Sequence, residues 1–138
     1  MEFLTDRTEA DVLLGNERGV YSYTDLNRVE GNVKLLAEAL TELGYLPHIA
    51  VKTDWGPPGD FSAADWPVES QMERYLKNVR TIQTIFPLEG KGVLPKSMDK
   101  LTWQSANLIE MILEHACKQI SAVRQVWKYS GEIYAGEE

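Results

Sequence analysis

Apolar residues recur in steps of three and four along three separate stretches of this chain, and that repeat constrains its fold more than any other feature. Leu26, Val29, Val33, Leu36, Leu40 and Leu43 form one series, and Val68, Met72, Tyr75, Val79, Ile82 and Phe86 form a second. Ile109, Leu113, Ala116, Ile120, Val123 and Trp127 form the third. A mean step of about 3.5 residues holds each series on one face of an α-helix. Each helix then has a single seam to hide from water, and three seams of similar length can cover one another. The spacing predicts a mainly α chain with three long amphipathic helices in a bundle.

Capping residues place the ends. A short N-terminal helix is expected from Asp6 to about Leu14, capped by Thr5 or Thr8 and stopped by Gly15. The first long helix is expected to begin near Thr24, with Ser22 and Asp25 spaced as a capping box, and to stop at Gly44. Its other face carries Arg28, Glu30, Lys34, Glu38 and Glu42, which reads as a solvated surface with opposite charges one turn apart. Asp65 and Pro67 suit the start of the second long helix, which Phe86-Pro87 ends. Ser97 offers a cap for the third, extending to about Lys128.

Two segments break the helical period. Between residues 45 and 65, Ile49, Val51 and Thr53 alternate with Ala50 and Lys52 as a brief extended run, and Trp55-Gly56-Pro57-Pro58-Gly59 forces a turn. Loops of this length are either functional or packed down by their own side chains. Trp55, Phe61 and Trp66 can plug the end of a bundle, or Trp55 and Phe61 can face a partner. After Lys128, alternation of Tyr129, Gly131, Ile133 and Ala135 with Ser130, Glu132, Tyr134 and Gly136 predicts a short extended tail. The chain thus divides into a helical bundle domain, 1–128, and an extended C-terminal tail, 129–138. A lone strand does not stand by itself in water. The tail must pair with residues 49–53, pair with another chain, or remain disordered, which makes Tyr129, Ile133 and Tyr134 candidate interaction residues.

Composition narrows the functional classes. The chain has 138 residues, enough for one domain with a core. Its net charge of −7 falls entirely in the first half, where 12 acidic residues face five basic ones, against nine of each in 67–138. An acidic half repels phosphate and the other half has no dense basic block, so nucleic-acid binding is not expected. The longest apolar runs, such as Met111-Ile112-Leu113, fall far short of the roughly 20 residues that cross a bilayer. An acid near the N-terminus and no apolar core after it argue against a secretory leader, so synthesis in a cytoplasm is expected. Cys117, the single cysteine, reads as a small buried side chain.

Residues for catalysis or metal binding do not cluster. His48 and His115 lie in different elements without zinc-ligand spacing. Asp54, Asp60 and Asp65 share a loop but not EF-hand spacing, and Glu110 with Glu114 lacks the Glu-x-x-His of a di-metal bundle and reads as a solvated acidic face. No catalytic residue, metal site or cofactor is expected.

Five stretches, in order, carry a resemblance. They are Tyr21-Ser22-Tyr23-Thr24-Asp25-Leu26-Asn27-Arg28-Val29-Glu30; Lys52-Thr53-Asp54-Trp55; Gln71-Met72-Glu73-Arg74-Tyr75-Leu76-Lys77-Asn78-Val79; Leu101-Thr102-Trp103-Gln104-Ser105-Ala106-Asn107-Leu108-Ile109-Glu110; and Tyr129-Ser130-Gly131-Glu132-Ile133-Tyr134. The set resembles a family of small proteins encoded in the tail modules of phages and prophages of Gram-positive gut bacteria, over nearly the whole chain. The resemblance implies a virion- or tail-associated structural protein, not an enzyme. Such a protein is made in the bacterial host cytoplasm, is incorporated in the virion, and associates with itself and with other tail proteins. It transfers no functional residues. The alternative is a soluble phage-encoded binding protein that sequesters or inhibits a host component through the 45–65 loop.

Overall fold

The structure, a computed structural model, describes residues 1–45, 47–56 and 67–136, with the backbone alone for 127–136. Four α-helices account for most of these residues: α1 (Glu9–Leu14), α2 (Tyr23–Glu42), α3 (Glu69–Ile85) and α4 (Trp103–Gly136). There is no strand among the described residues.

Local chemistry explains the ends. Thr8 caps α1 in a reciprocal pair with Asp11, and Gly15 closes it in the left-handed conformation (φ 63°) that a side chain disfavours. The Ser22 amide donates to the Asp25 carboxylate (2.8 Å) at the start of α2. For the last helix the expected start at Ser97 is corrected. A single 3₁₀ turn, Met98–Lys100, comes first, Leu101 is extended, and α4 begins at Trp103 with the Thr102 hydroxyl accepting from the Ser105 amide (3.1 Å). Asp65, the expected cap of α3, lies outside the described residues, and Val68 stands at that helix's N-terminus.

Many residues of the three series are buried together. Leu26, Val29, Val33, Leu36 and Leu40 of α2, Tyr75, Val79 and Ile82 of α3, and Ile109, Leu113, Ala116 and Ile120 of α4 are buried in one cluster. At the ends of the series the match loosens: Val68 is exposed, Met72, Leu43, Phe86 and Val123 are only partly buried, and the Trp127 side chain lies outside the described residues.

All three long helices run in the same direction. Near their starts Arg28 of α2 pairs with Glu110 of α4 and Glu30 of α2 with Arg74 of α3. Toward their ends Glu42 pairs with Arg124, and Tyr45 meets Phe86 edge to face just beyond α2 and α3. Short links would have forced antiparallel neighbours. Here the connections through 43–68 and 86–102 are long enough to carry the chain back to the starting end of the bundle before each new helix.

The extended tail expected for 129–138 is corrected over residues 129–136, and 137–138 lie outside the described residues. Residues 129–136 continue α4 without a break. Extending an existing helix by one residue needs no new nucleus, whereas a lone strand has nothing to pair with. The backbone at Tyr129, Ile133 and Tyr134 is therefore helical, and these residues offer no strand edge.

Candidate functional site

Two non-helical segments lie against the bundle, and side chains from the helices bond the backbone of each. The first is the N-terminal segment, residues 2–7. The Leu4 amide donates to Glu110 (3.0 Å), the Arg7 amide to the Asn107 side-chain oxygen (3.0 Å), and the Asn107 amide group back to the Arg7 carbonyl (3.0 Å). Asn32 donates to the Glu2 carbonyl (2.7 Å). The second is residues 50–55. Lys52 donates its amide to Glu30 (3.1 Å), and the Ala50 carbonyl accepts from Arg74 (2.7 Å) and Asn78 (2.8 Å). Trp55 exchanges both its backbone groups with Asn27 (2.8 and 2.9 Å). Every buried backbone group must find a partner. Because the helices supply those partners, residues 49–53 form no strand.

Charged side chains lock both segments. Glu110, with no exposed surface, is held in a fork by Arg28 Nε (2.7 Å) and a terminal nitrogen (2.8 Å), and also accepts from Arg7 (2.8 Å). Asp25 binds the same two guanidiniums, Arg28 at 2.6 Å and Arg7 at 3.1 Å. Two cations and two anions cancel, which is the condition for burying them at tolerable cost. The Arg7 guanidinium lies 5.6 Å from the centre of the Tyr21 ring. On the other side Glu30 accepts from the Trp55 indole and from Arg74.

These contacts overturn the reading of Arg28 and Glu30 as a solvated face and of Glu110 as part of a solvated acidic surface. Arg28 keeps only about a fifth of its side chain in water, and Glu30 almost none. Four of the five stretches quoted above supply the network, through Asp25, Asn27, Arg28 and Glu30, then Lys52 and Trp55, then Arg74 and Asn78, then Asn107 and Glu110. Arg7 lies outside all of them and was missed. Its one signal was a lone arginine in a short acidic segment.

The five candidate interaction residues separate. Trp55 is 3% exposed and belongs to the core, so it plugs the bundle. Phe61 lies outside the described residues, and the side chains of Tyr129, Ile133 and Tyr134 do as well. Exposed apolar surface occurs elsewhere. Val12, Leu13 and Leu14 of α1 are exposed, beside a groove of about 520 Å³ floored by Tyr21, Leu101 and Trp103. At the opposite end Leu35 is exposed, and Val126 of α4 is 63% exposed.

Asp25, Glu110 and Glu30 have their oxygens occupied by fixed donors, and no group of three His, Cys, Asp or Glu residues converges among the described residues. No described helix is long and apolar enough to cross a membrane. No family model matches the chain, and neither a curated protein nor a solved structure gives a match.

Tyr21 and Tyr75 share a hydrogen bond between their hydroxyls above this network. Burial pushes both phenols above the ordinary tyrosine value. Each also feels the Glu110 carboxylate, which opposes a second negative charge nearby. A raised folded-state pKa means that the native state holds these protons after the unfolded chain has released them. Stability is therefore intact below about pH 10 and falls as pH rises above it. In an alkaline titration followed by phenolate absorbance, two of the six tyrosines are expected to ionise only together with loss of helical signal. Ionisation of all six before unfolding would show that the pair is open to water.

Proposed function

We propose that this chain is a non-catalytic assembly domain of a phage tail module, which joins neighbouring proteins through the far end of α4. One observation carries this reading: the described side chains of α4 turn to water after Ile120 while its backbone stays helical to Gly136. Among the described side chains Ile120 is its last buried one; beyond it Val123 is half-buried, Ser121, Ala122, Arg124, Gln125 and Val126 are exposed, and the helix continues to Gly136. At about 1.5 Å per residue, residues 121–136 extend roughly 24 Å. A helical stretch of that length is marginal in water when nothing packs against it, because helices in proteins draw most of their stability from a covered face. A neighbouring protein is what would cover it.

The phage context comes from the resemblance alone, and the buried network, in which the oxygens of Asp25, Glu30 and Glu110 are all occupied, fits a structural role. The buried ionic groups fix how α2, α3 and α4 align and offer no free acid, base or nucleophile. The reading includes self-association and contact with other tail proteins.

Truncation after Val126 tests it. The shortened chain leaves every described buried residue in place, so it is expected to keep its melting temperature and to lose helical signal only in proportion to the residues removed. Sedimentation of the full chain is expected to show association that the shortened chain lacks, and mass spectrometry of purified particles of the encoding phage is expected to find the protein. Unchanged association after truncation would remove the α4 end as the contact, and absence from the particles would remove the virion role.

A further inference from the structure

We infer that the cleft between α2 and α4, which holds residues 2–7, is a peptide-binding site that also accepts residues 2–7 of a second copy of this chain. This goes beyond the contact proposed for α4 and rests on different residues. The N-terminal segment is gripped as a bound peptide would be: its backbone bonds run to Glu110, Asn107 and Asn32, and the Arg7 guanidinium sits between Asp25 and Glu110. Phe3 adds apolar contact with the core. None of these bonds depends on which chain supplies the peptide.

The connector does little to hold the segment in its own cleft. No residue of α1 is buried, and Val12, Leu13 and Leu14 face water. The turn that follows is closed by local bonds among Asp11, Asn16 and Gly19. Arg18 ties back only to Asp6 and Asp11, on the same excursion of the chain. Residues 8–20 can swing outward as a unit with little loss of buried apolar surface.

Charge accounting then favours exchange over simple release. With Arg7 in place the cleft balances two carboxylates against two guanidiniums; with Arg7 withdrawn, one buried negative charge is left over. An uncompensated buried charge is strongly unfavourable, so the empty cleft is a poor end state. Either the chain's own segment returns or a neighbour's takes its place. Dilution favours the first, since the tether sets a high effective concentration. Crowding of many copies into one assembly favours the second, which is segment exchange between identical protomers.

The test is an equimolar mixture of ¹³C,¹⁵N-labelled and unlabelled full-length chain, refolded together at high concentration and read by isotope-filtered nuclear Overhauser spectra. The expected result is a species of at least dimer mass with cross-chain contacts from the Leu4 amide to Glu110 and from the Arg7 amide to Asn107. The exchanged and closed forms make the same Arg7 contacts, so Arg7→Ala, with helicity checked by circular dichroism, is expected to lower the stability of both alike and to leave the ratio of oligomer to monomer little changed. A chain that stays monomeric at every concentration overturns the inference. So does an oligomer whose cross-chain contacts come only from α4, which would leave the α4 contact standing.

Discussion

Glu110→Ala is expected to lower the free energy of unfolding by about 3–5 kcal/mol, the usual cost of removing one partner from a buried ionic cluster. The carboxylate is fully buried and accepts from Arg28, Arg7 and the Leu4 amide. Its removal leaves two guanidiniums against Asp25 alone. Chemical denaturation followed by circular dichroism measures the loss. The double substitution Arg28→Met with Glu110→Leu is expected to recover much of it, because Arg7 and Asp25 then remain as a balanced pair and the new side chains are apolar. A loss below about 1 kcal/mol for the single change would mean that water reaches the carboxylate and screens the cluster.

Trp55→Ala is expected to cost about 3–5 kcal/mol, in the range for truncating a large buried aromatic side chain. Two effects combine: the indole leaves a cavity in the core cluster, and Glu30 loses its indole donor. Trp55→Phe separates them. It keeps most of the apolar volume and removes only the N–H, so its expected cost is about 1–3 kcal/mol, the penalty for an acceptor left without its partner. Both losses are read from denaturant midpoints at constant slope. If Trp55→Ala were close to neutral, residues 47–56 would lie outside the cooperative unit and the bundle would stand on its seams alone.

Together the two sites show what the polar residues contribute. A buried ion pair adds little net stability compared with apolar packing of the same volume. It is sensitive to position, however. Apolar stripes that repeat at steps of three and four tolerate a shift of one turn, but such a shift of α4 would carry Glu110 away from both Arg7 and Arg28. The clamps therefore select one register and one direction among arrangements that the seams alone would accept.

Much of the architecture was legible in the chain. The apolar steps located α2, α3 and α4 and most of the core, because burial of one helical face leaves a periodic trace in the sequence. Thr8 with Gly15, and Ser22 with Asp25, marked helix ends because capping is a local interaction. The parallel direction of the helices was not legible, since a helix has the same stripe whichever way it points; the long connections decide it. Nor could the sequence show that Arg28, Glu30 and Glu110 are covered. A charged residue off the apolar stripe looks the same whether water or another segment lies over it, and here the covering segments are 2–7 and 50–55, distant from their partners in the chain. Residues 129–136 show the reverse case. Their alternation reads locally as a strand, yet α4 carries the helix through them, because propagation from formed turns outweighs a weak local preference with no sheet to join.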